Sequence, residues 1–198
     1  MSRIPQVNLN DYLSGDYSSK EKFIKELGKG FSEIGFVAVK GHLLNDEVKD
    51  SLYKEVKQFF NLPDSVKSKY IIKGLASQRG FTPFGKEHAK GKKEGDLKEF
   101  WHFGQYLSLH DKKIYNYPDN PYVEEVPDFN KAGENTYKAL EKTGLYVLRA
   151  IALFLDLDEF HFDQYVLNGN SILRPIHYPP ITKEPDNAVR AAAHGDIN

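Results

Sequence analysis

The chain has no cysteine, a single methionine and a single tryptophan among its 198 residues. Without thiols, disulfides, thiolate nucleophiles, zinc fingers and iron–sulfur clusters are all excluded. Any bound metal must be held by histidine, aspartate and glutamate, a donor set that favours iron, manganese or zinc. Net charge is nearly absent too: 27 lysines and arginines face 28 aspartates and glutamates, a formal −1. Nucleic acid and anionic membranes therefore have no electrostatic claim as partners. No apolar stretch approaches membrane-spanning length, and "MSRIPQVNLNDYLSG" has no apolar signal region, so the reading is a cytoplasmic protein. At 40 % hydrophobic and 28 % charged, the composition is that of an ordinary globular chain with a real core.

Along the chain, "IPQVNL" alternates apolar and polar residues and reads as a short strand. Ser18 and Glu21 form a candidate capping box for a helix bearing Phe23, Leu27 and Phe31 at intervals of four, with Ile24 and Ile34 beside them. Gly35 stops it, and "FVAVK" follows as a buried strand closed by Gly41. A second helix should begin near Asn45, carry Val48, Leu52, Val56 and Phe59 on one face, and end by Pro63. The segment from Gly74 to Gly104 reads as loop with short extended pieces, "GFTPFG" and "EFWHFG". Within it, "KEHAKGKKEGDLKE" mixes lysines with carboxylates and reads as a solvated loop. A long helix is expected from about Asn130 to Leu155, buried deeply through Leu140, Val147, Leu148, Ile151 and Phe154. "SILRPIHY" and "AVRAAAH" look like strands separated by a turn.

The last apolar run breaks into His194, Gly195 and Asp196. A second His-x-Asp, His161 and Asp163, falls in a segment of helical pattern, where residues two apart diverge and cannot share an ion. His194 and Asp196 follow a β-type run instead, and residues i and i+2 of a strand project from one face. Imidazole and carboxylate would then converge on one cation. That is two-thirds of the 2-His-1-carboxylate triad of non-haem Fe(II) oxygenases. The alternative is a surface turn after a strand, since glycine and aspartate both favour turns.

Taken in order, several segments resemble the isopenicillin N synthase-like branch of the 2-oxoglutarate/Fe(II)-dependent oxygenases. These are "IPQVNLNDY", "GFVAVKGH", "FFNLPDSVKSKY", "RGFTPFGKE", "DLKEFWHFG", and "LRPIHYPP" followed by "AAAHGDIN". The resemblance implies an α+β fold: a helix-rich N-terminal region, residues 1–120, leading into residues 121–198 as the long helix and first strands of an incomplete double-stranded β-helix, or jelly roll. It implies that His194 and Asp196 are iron ligands. It also implies that Tyr178, in the "YPP" step, reaches toward the 2-oxoglutarate carboxylate; the bland alternative is a tyrosine packed at a sheet edge. Arg79 and Phe81 match, loosely, segments that cover the substrate pocket, although Arg79 also suits a solvated loop. His42, His88, His102, His110 and His177 match no ligand position and read as satisfied polar or surface histidines, with His177 facing away from Tyr178. Trp101 and Phe103 read as core.

The implied activity is a non-haem Fe(II)- and 2-oxoglutarate-dependent dioxygenase. It would use O₂ to hydroxylate, desaturate or cyclise a small organic substrate. The family pattern also needs a second ligand histidine and an Arg-x-Ser pair for the distal 2-oxoglutarate carboxylate. No histidine follows His194, and no Arg-x-Ser occurs. The expectation is therefore an N-terminal fragment, inactive by itself; the alternative is a non-catalytic relative serving as a binding module. Neither the substrate nor the oligomeric state is legible here.

Overall fold

A computed structural model describes residues 3–75, 78–87, 95–182 and 187–193. In chain order its elements are β1 (Gln6–Asn8), α1 (Leu9–Leu13), α2 (Tyr17–Glu33), β2 (Ala38–Lys40), α3 (Asp46–Phe60) and α4 (Asp64–Lys67). There follow β3 (Gly80–Thr82), β4 (Glu99–His102), α5 (Lys112–Tyr115), α6 (Phe129–Phe154), α7 (Asp163–Val166) and β5 (Ile176–His177). The result is an α+β arrangement of helices and two small sheets. The chain divides into two units, Met1–Asp50 with Asn135–Gly169 and Ser51–Glu134 with Asn170–Asn198. No helix among the described residues is long and apolar enough to cross a membrane.

In the first unit β1 and β2 pair in parallel, with Val7 opposite Val39. Helix α2, which lies between them in the chain, starts earlier than the capping box suggested. Asp16 is its N-cap, and its carboxylate accepts from the Ser19 amide at 2.8 Å. An aspartate one residue ahead of the first turn satisfies an orphan amide as well as a serine does, and its charge suits the helix dipole. Gly35, with φ +80°, ends the helix in the left-handed conformation, and its amide reaches back to the Gly30 carbonyl. The "FVAVK" strand is shorter and less buried than expected: only Ala38–Lys40 is paired, and Phe36 is exposed. The core here is Val7, Leu9, Tyr12, Phe23, Leu27 and Ala150, with Tyr146, Val147 and Ile151 packed against it.

Helix α6 is as long as its periodicity suggested but not as deep. Phe129, Ala132, Thr136, Tyr137, Ala150 and Ala152 are buried, whereas Leu140 and Phe154 are exposed. Apolar residues all round a helix show that it can be covered on every side, not that it is.

The second unit is organised by aromatic rings. Phe59 sits at its centre, 4.9 Å from the Trp101 ring, 5.0 Å from Phe129 and 5.7 Å from Phe81. Tyr70, Phe103, Val123 and Val126 complete the cluster. The sheet runs β3–β4–β5, both pairings antiparallel, with Phe81 opposite Trp101 and Glu99 opposite His177. Gly80 opens β3 because nothing larger fits: its φ is +75°, and a Cβ there would meet the Tyr70 carbonyl oxygen at 2.4 Å. Ahead of β5, a bridge from Leu173 to Phe103 continues the "SILRPIHY" pairing, and no strand forms over residues 188–193, the described part of "AVRAAAH". Replacing Phe59 with alanine removes the ring at the centre of this cluster. The expected loss in urea unfolding is about 3–5 kcal/mol, against under about 0.5 kcal/mol for an exposed control such as Tyr53→Ala.

Candidate functional site

All four residues of β4 are buried, and alternation sends them to two faces. Trp101 faces the aromatic core with Glu99. The Glu99 carboxylate is 5 % exposed and has two partners: His177 Nδ1 lies 2.8 Å from Oε1, and Lys67 Nζ donates to Oε2 at 2.8 Å. Lys67 also reaches Asp64, at 3.0 Å. The His177 ring stacks on Phe60, centroids 5.1 Å apart. Burial pulls the Lys67 ammonium down, but its hydrogen bonds to Glu99 and Asp64 more than offset this and hold its pKa above the ordinary value.

The other face of β4 carries Phe100 and His102. Arg174 lies over the Phe100 ring at 4.3 Å and donates through Nε to His102 Nε2 at 2.5 Å. An arginine N–H can donate only to an unprotonated ring nitrogen, so His102 Nε2 is the acceptor in this contact. Arg174 Nη1 donates to Glu87 at 3.0 Å, Lys98 bridges Glu87 at 2.7 Å and Asp96 at 2.9 Å, and Asp96 is buried. Burial works against charge on both Glu87 and Lys98. The hydrogen bond between them wins, with further help from Arg174 and Asp96, so Glu87 titrates below the usual glutamate range and Lys98 above the usual lysine range. The tail of the "KEHAKGKKEGDLKE" stretch is thus not solvated: Asp96, Lys98 and Glu99 are interior charges, each matched by an opposite one. The signal in the sequence was their continuity with the aromatic run "FWHF", which draws the charges into the interior with it.

Tyr178 follows β5 directly, one residue past His177, and is 37 % exposed. His194 and Asp196 lie outside the described residues. Among the described residues no group of three or more His, Asp or Glu side chains could hold a metal ion. The segment leading to His194 is anchored beside β4: the Leu97 amide donates to the Val189 carbonyl at 2.8 Å, and the Ala192 amide to Asp96 Oδ1 at 3.3 Å. Arg79 is no solvated loop residue. It is 1 % exposed and donates to the Gln78 carbonyl at 2.7 Å and to Asn170 Oδ1 at 2.9 Å, while Phe81 belongs to the aromatic core. The second His-x-Asp is a structural pair of another kind. Asp163 takes a two-pronged contact from Arg149, at 2.6 and 3.2 Å, which lowers its pKa, and His161 lies against Phe162 and Tyr165.

These pairings set a pH profile. Lys67 and Lys98 have raised folded pKa values, so their contribution is complete below the ordinary lysine value of 10.5 and is lost as pH climbs through the higher folded ones. Glu87 has a lowered value, so its contribution is complete above the ordinary 4.5 and is lost as pH falls through the folded one. Thermal unfolding across pH should show a plateau with a falling arm at each end. Lys67→Met should cost about 3 kcal/mol at neutral pH, because it leaves the buried Glu99 carboxylate with His177 alone, and should flatten the alkaline arm.

Residues 4–126 match the family model described as non-haem dioxygenase in morphine synthesis N-terminal. Among curated relatives, the 2-oxoglutarate-dependent dioxygenase imqE of Aspergillus flavus is 26 % identical over 205 residues, 91 % of this chain and 56 % of that one. A 1-aminocyclopropane-1-carboxylate oxidase of Dictyostelium discoideum is 26 % identical over 187 residues, 90 % of this chain and 50 % of that one. The chain thus spans about half the length of these relatives. Among solved structures, a 2OG-Fe(II) oxygenase family protein from Caulobacter crescentus is 38 % identical with a TM-score of 0.83, covering all of this chain and 62 % of its own. A full-length Neurospora crassa protein, solved in complex with alpha-KG, is 25 % identical with a TM-score of 0.72, over 89 % of this chain and 51 % of its own. The order of elements and the match over residues 4–126 place this chain in the isopenicillin N synthase-like 2-oxoglutarate/Fe(II) oxygenase family, to which it belongs through its N-terminal region.

Proposed function

We propose that the chain is the N-terminal part of a non-haem Fe(II)- and 2-oxoglutarate-dependent dioxygenase acting on a small organic substrate. Residues 1–120 form its N-terminal region, and residues 121–198 lead into its jelly roll. The observation that carries the reading is the pair His194 and Asp196, which follows directly on a segment hydrogen-bonded to Asp96 and Leu97, in a chain of this family. The donor set fits the metal: one imidazole and one carboxylate, in a chain without cysteine, offer the nitrogen and oxygen ligands that Fe(II) takes in such sites. Relatives named as 2-oxoglutarate-dependent dioxygenases support the same cosubstrate here.

In this reading His194 and Asp196 would hold Fe(II), and Tyr178 would reach toward the 2-oxoglutarate carboxylate. Held there, the iron would supply oxidative chemistry in which O₂ converts 2-oxoglutarate to succinate and CO₂ while the substrate is oxidised. The protein orients both molecules and keeps water away from them. Arg174 is committed to His102 and Glu87, so it stiffens the strand ahead of Tyr178 and is not free to grip the cosubstrate.

Two donors hold a divalent cation weakly, because a third preorganised ligand is absent from the sequence given. The 198-residue chain should therefore bind Mn(II), a redox-silent stand-in for Fe(II), at a level that His194→Ala and Asp196→Ala each abolish. It should release no succinate from 2-oxoglutarate. Mn(II) binding unchanged in both variants would contradict the assignment, and succinate release by the chain alone would contradict its need for further ligands.

A further inference from the structure

Residues 155–167 of the first unit reverse the usual division of a protein surface. Leu155, Leu157, Phe160, Tyr165, Val166 and Leu167 are all exposed, Tyr165 at 69 % and Leu167 at 67 %. The carboxylates of Glu159 and Asp163 are turned toward the helices instead. Glu159 accepts from the Tyr12 hydroxyl of α1 at 2.5 Å and from Lys20 of α2 at 2.9 Å. Asp163 takes Arg149 of α6, whose guanidinium also lies 4.7 Å from the Phe160 ring centroid. The Leu157 amide donates to the Ala152 carbonyl at 2.9 Å, and the Asp158 carboxylate accepts the Phe160 amide at 2.9 Å. Three helices thus hold the segment by its acids and leave its apolar side chains outside. An apolar surface fixed in place in this way is the mark of an interface.

We infer that residues 155–167 are a docking face for the C-terminal part of a longer protein. This rests on the reading of the chain as the N-terminal part of an oxygenase. The Caulobacter crescentus protein matches all of this chain with a TM-score of 0.83, yet the match takes up only 62 % of that protein. The remainder of such a chain joins the fold by burying apolar area against what is already there. Helix α6 points the same way. Its apolar residues run all round it, as they do in a helix enclosed on every side, yet Phe154 and Leu155 at its C-terminal end are exposed. An anionic membrane does not fit the face, because Asp156 and Asp158 stand exposed within it and no basic residue falls between 155 and 167.

The test compares side-chain oxidation by hydroxyl radicals in two proteins. One is the 198-residue chain; the other continues it with the part of the Caulobacter crescentus protein that it does not match. With both monomeric, Leu157, Phe160, Tyr165 and Leu167 should oxidise readily in the short chain and several-fold less in the longer one. Tyr17 and Tyr53, exposed elsewhere, should react alike in both. Leu167→Asp should leave the melting temperature of the short chain unchanged and lower that of the longer one. Equal oxidation of the segment in a longer chain that melts cooperatively would overturn the inference. Protection in the short chain that grows with its concentration, with none added by the extension, overturns it too and assigns the face to a second copy. If the longer chain does not melt cooperatively, the aligned positions of the full-length Caulobacter crescentus protein decide: protection there supports the docking face, and ready oxidation overturns it. Protection without succinate release from 2-oxoglutarate leaves the docking face standing and tells against the dioxygenase. Succinate release with the segment still reactive does the reverse.

Discussion

Strand β4 forces the arrangement of the second unit, because it and the residues just before it carry charge into the interior. Glu99 and its sequence neighbours Lys98 and Asp96 are interior residues, and a buried charge without a partner costs several kcal/mol. Each one therefore dictates what must stand beside it. Glu99 requires Lys67 from α4 and His177 from β5; Lys98 requires Glu87 and Asp96; Glu87 in turn takes Arg174. Helix, loop and strand are thereby joined to β4 by partners that cannot be exchanged singly. The aromatic cluster around Phe59 supplies the burial, and the ion pairs supply the register.

Much of this was legible in the sequence. The period of Val48, Leu52, Val56 and Phe59 marked α3, and Asn45, whose side chain accepts from the Val48 amide, marked its start. Trp101 and Phe103 lie in the core as their aromatic run suggested. What could not be read was pairing over long separations. Nothing local distinguishes a lysine bound for solvent from Lys67, whose partner Glu99 lies 32 residues on. Charge content alone therefore misjudged the stretch ending at Glu99. Strand length was misjudged for local reasons: β2 matches the three residues of β1, and Pro175, which has no N–H to give, interrupts the "SILRPIHY" ladder ahead of β5.

The candidate site shows the same division. The ordered segments from "IPQVNL" to "YPP" sufficed to indicate the family, and the match over residues 4–126 agrees with them. His194 and Asp196 lie outside the described residues, and their pairing as metal donors is a proposal drawn from spacing and family membership. What the fold adds is the approach to them: Val189 and Ala192 bonded to the Asp96–Leu97 segment, and Tyr178 following a strand fixed by His177 on one face and Arg174 on the other.

The most direct measurement is anomalous X-ray scattering from a crystal of the chain soaked in Mn(II). The account predicts one manganese peak within bonding distance of the His194 imidazole and the Asp196 carboxylate, with the Ala192 amide still on Asp96. A peak elsewhere, or His194 and Asp196 pointing apart in a well-ordered segment, would contradict it.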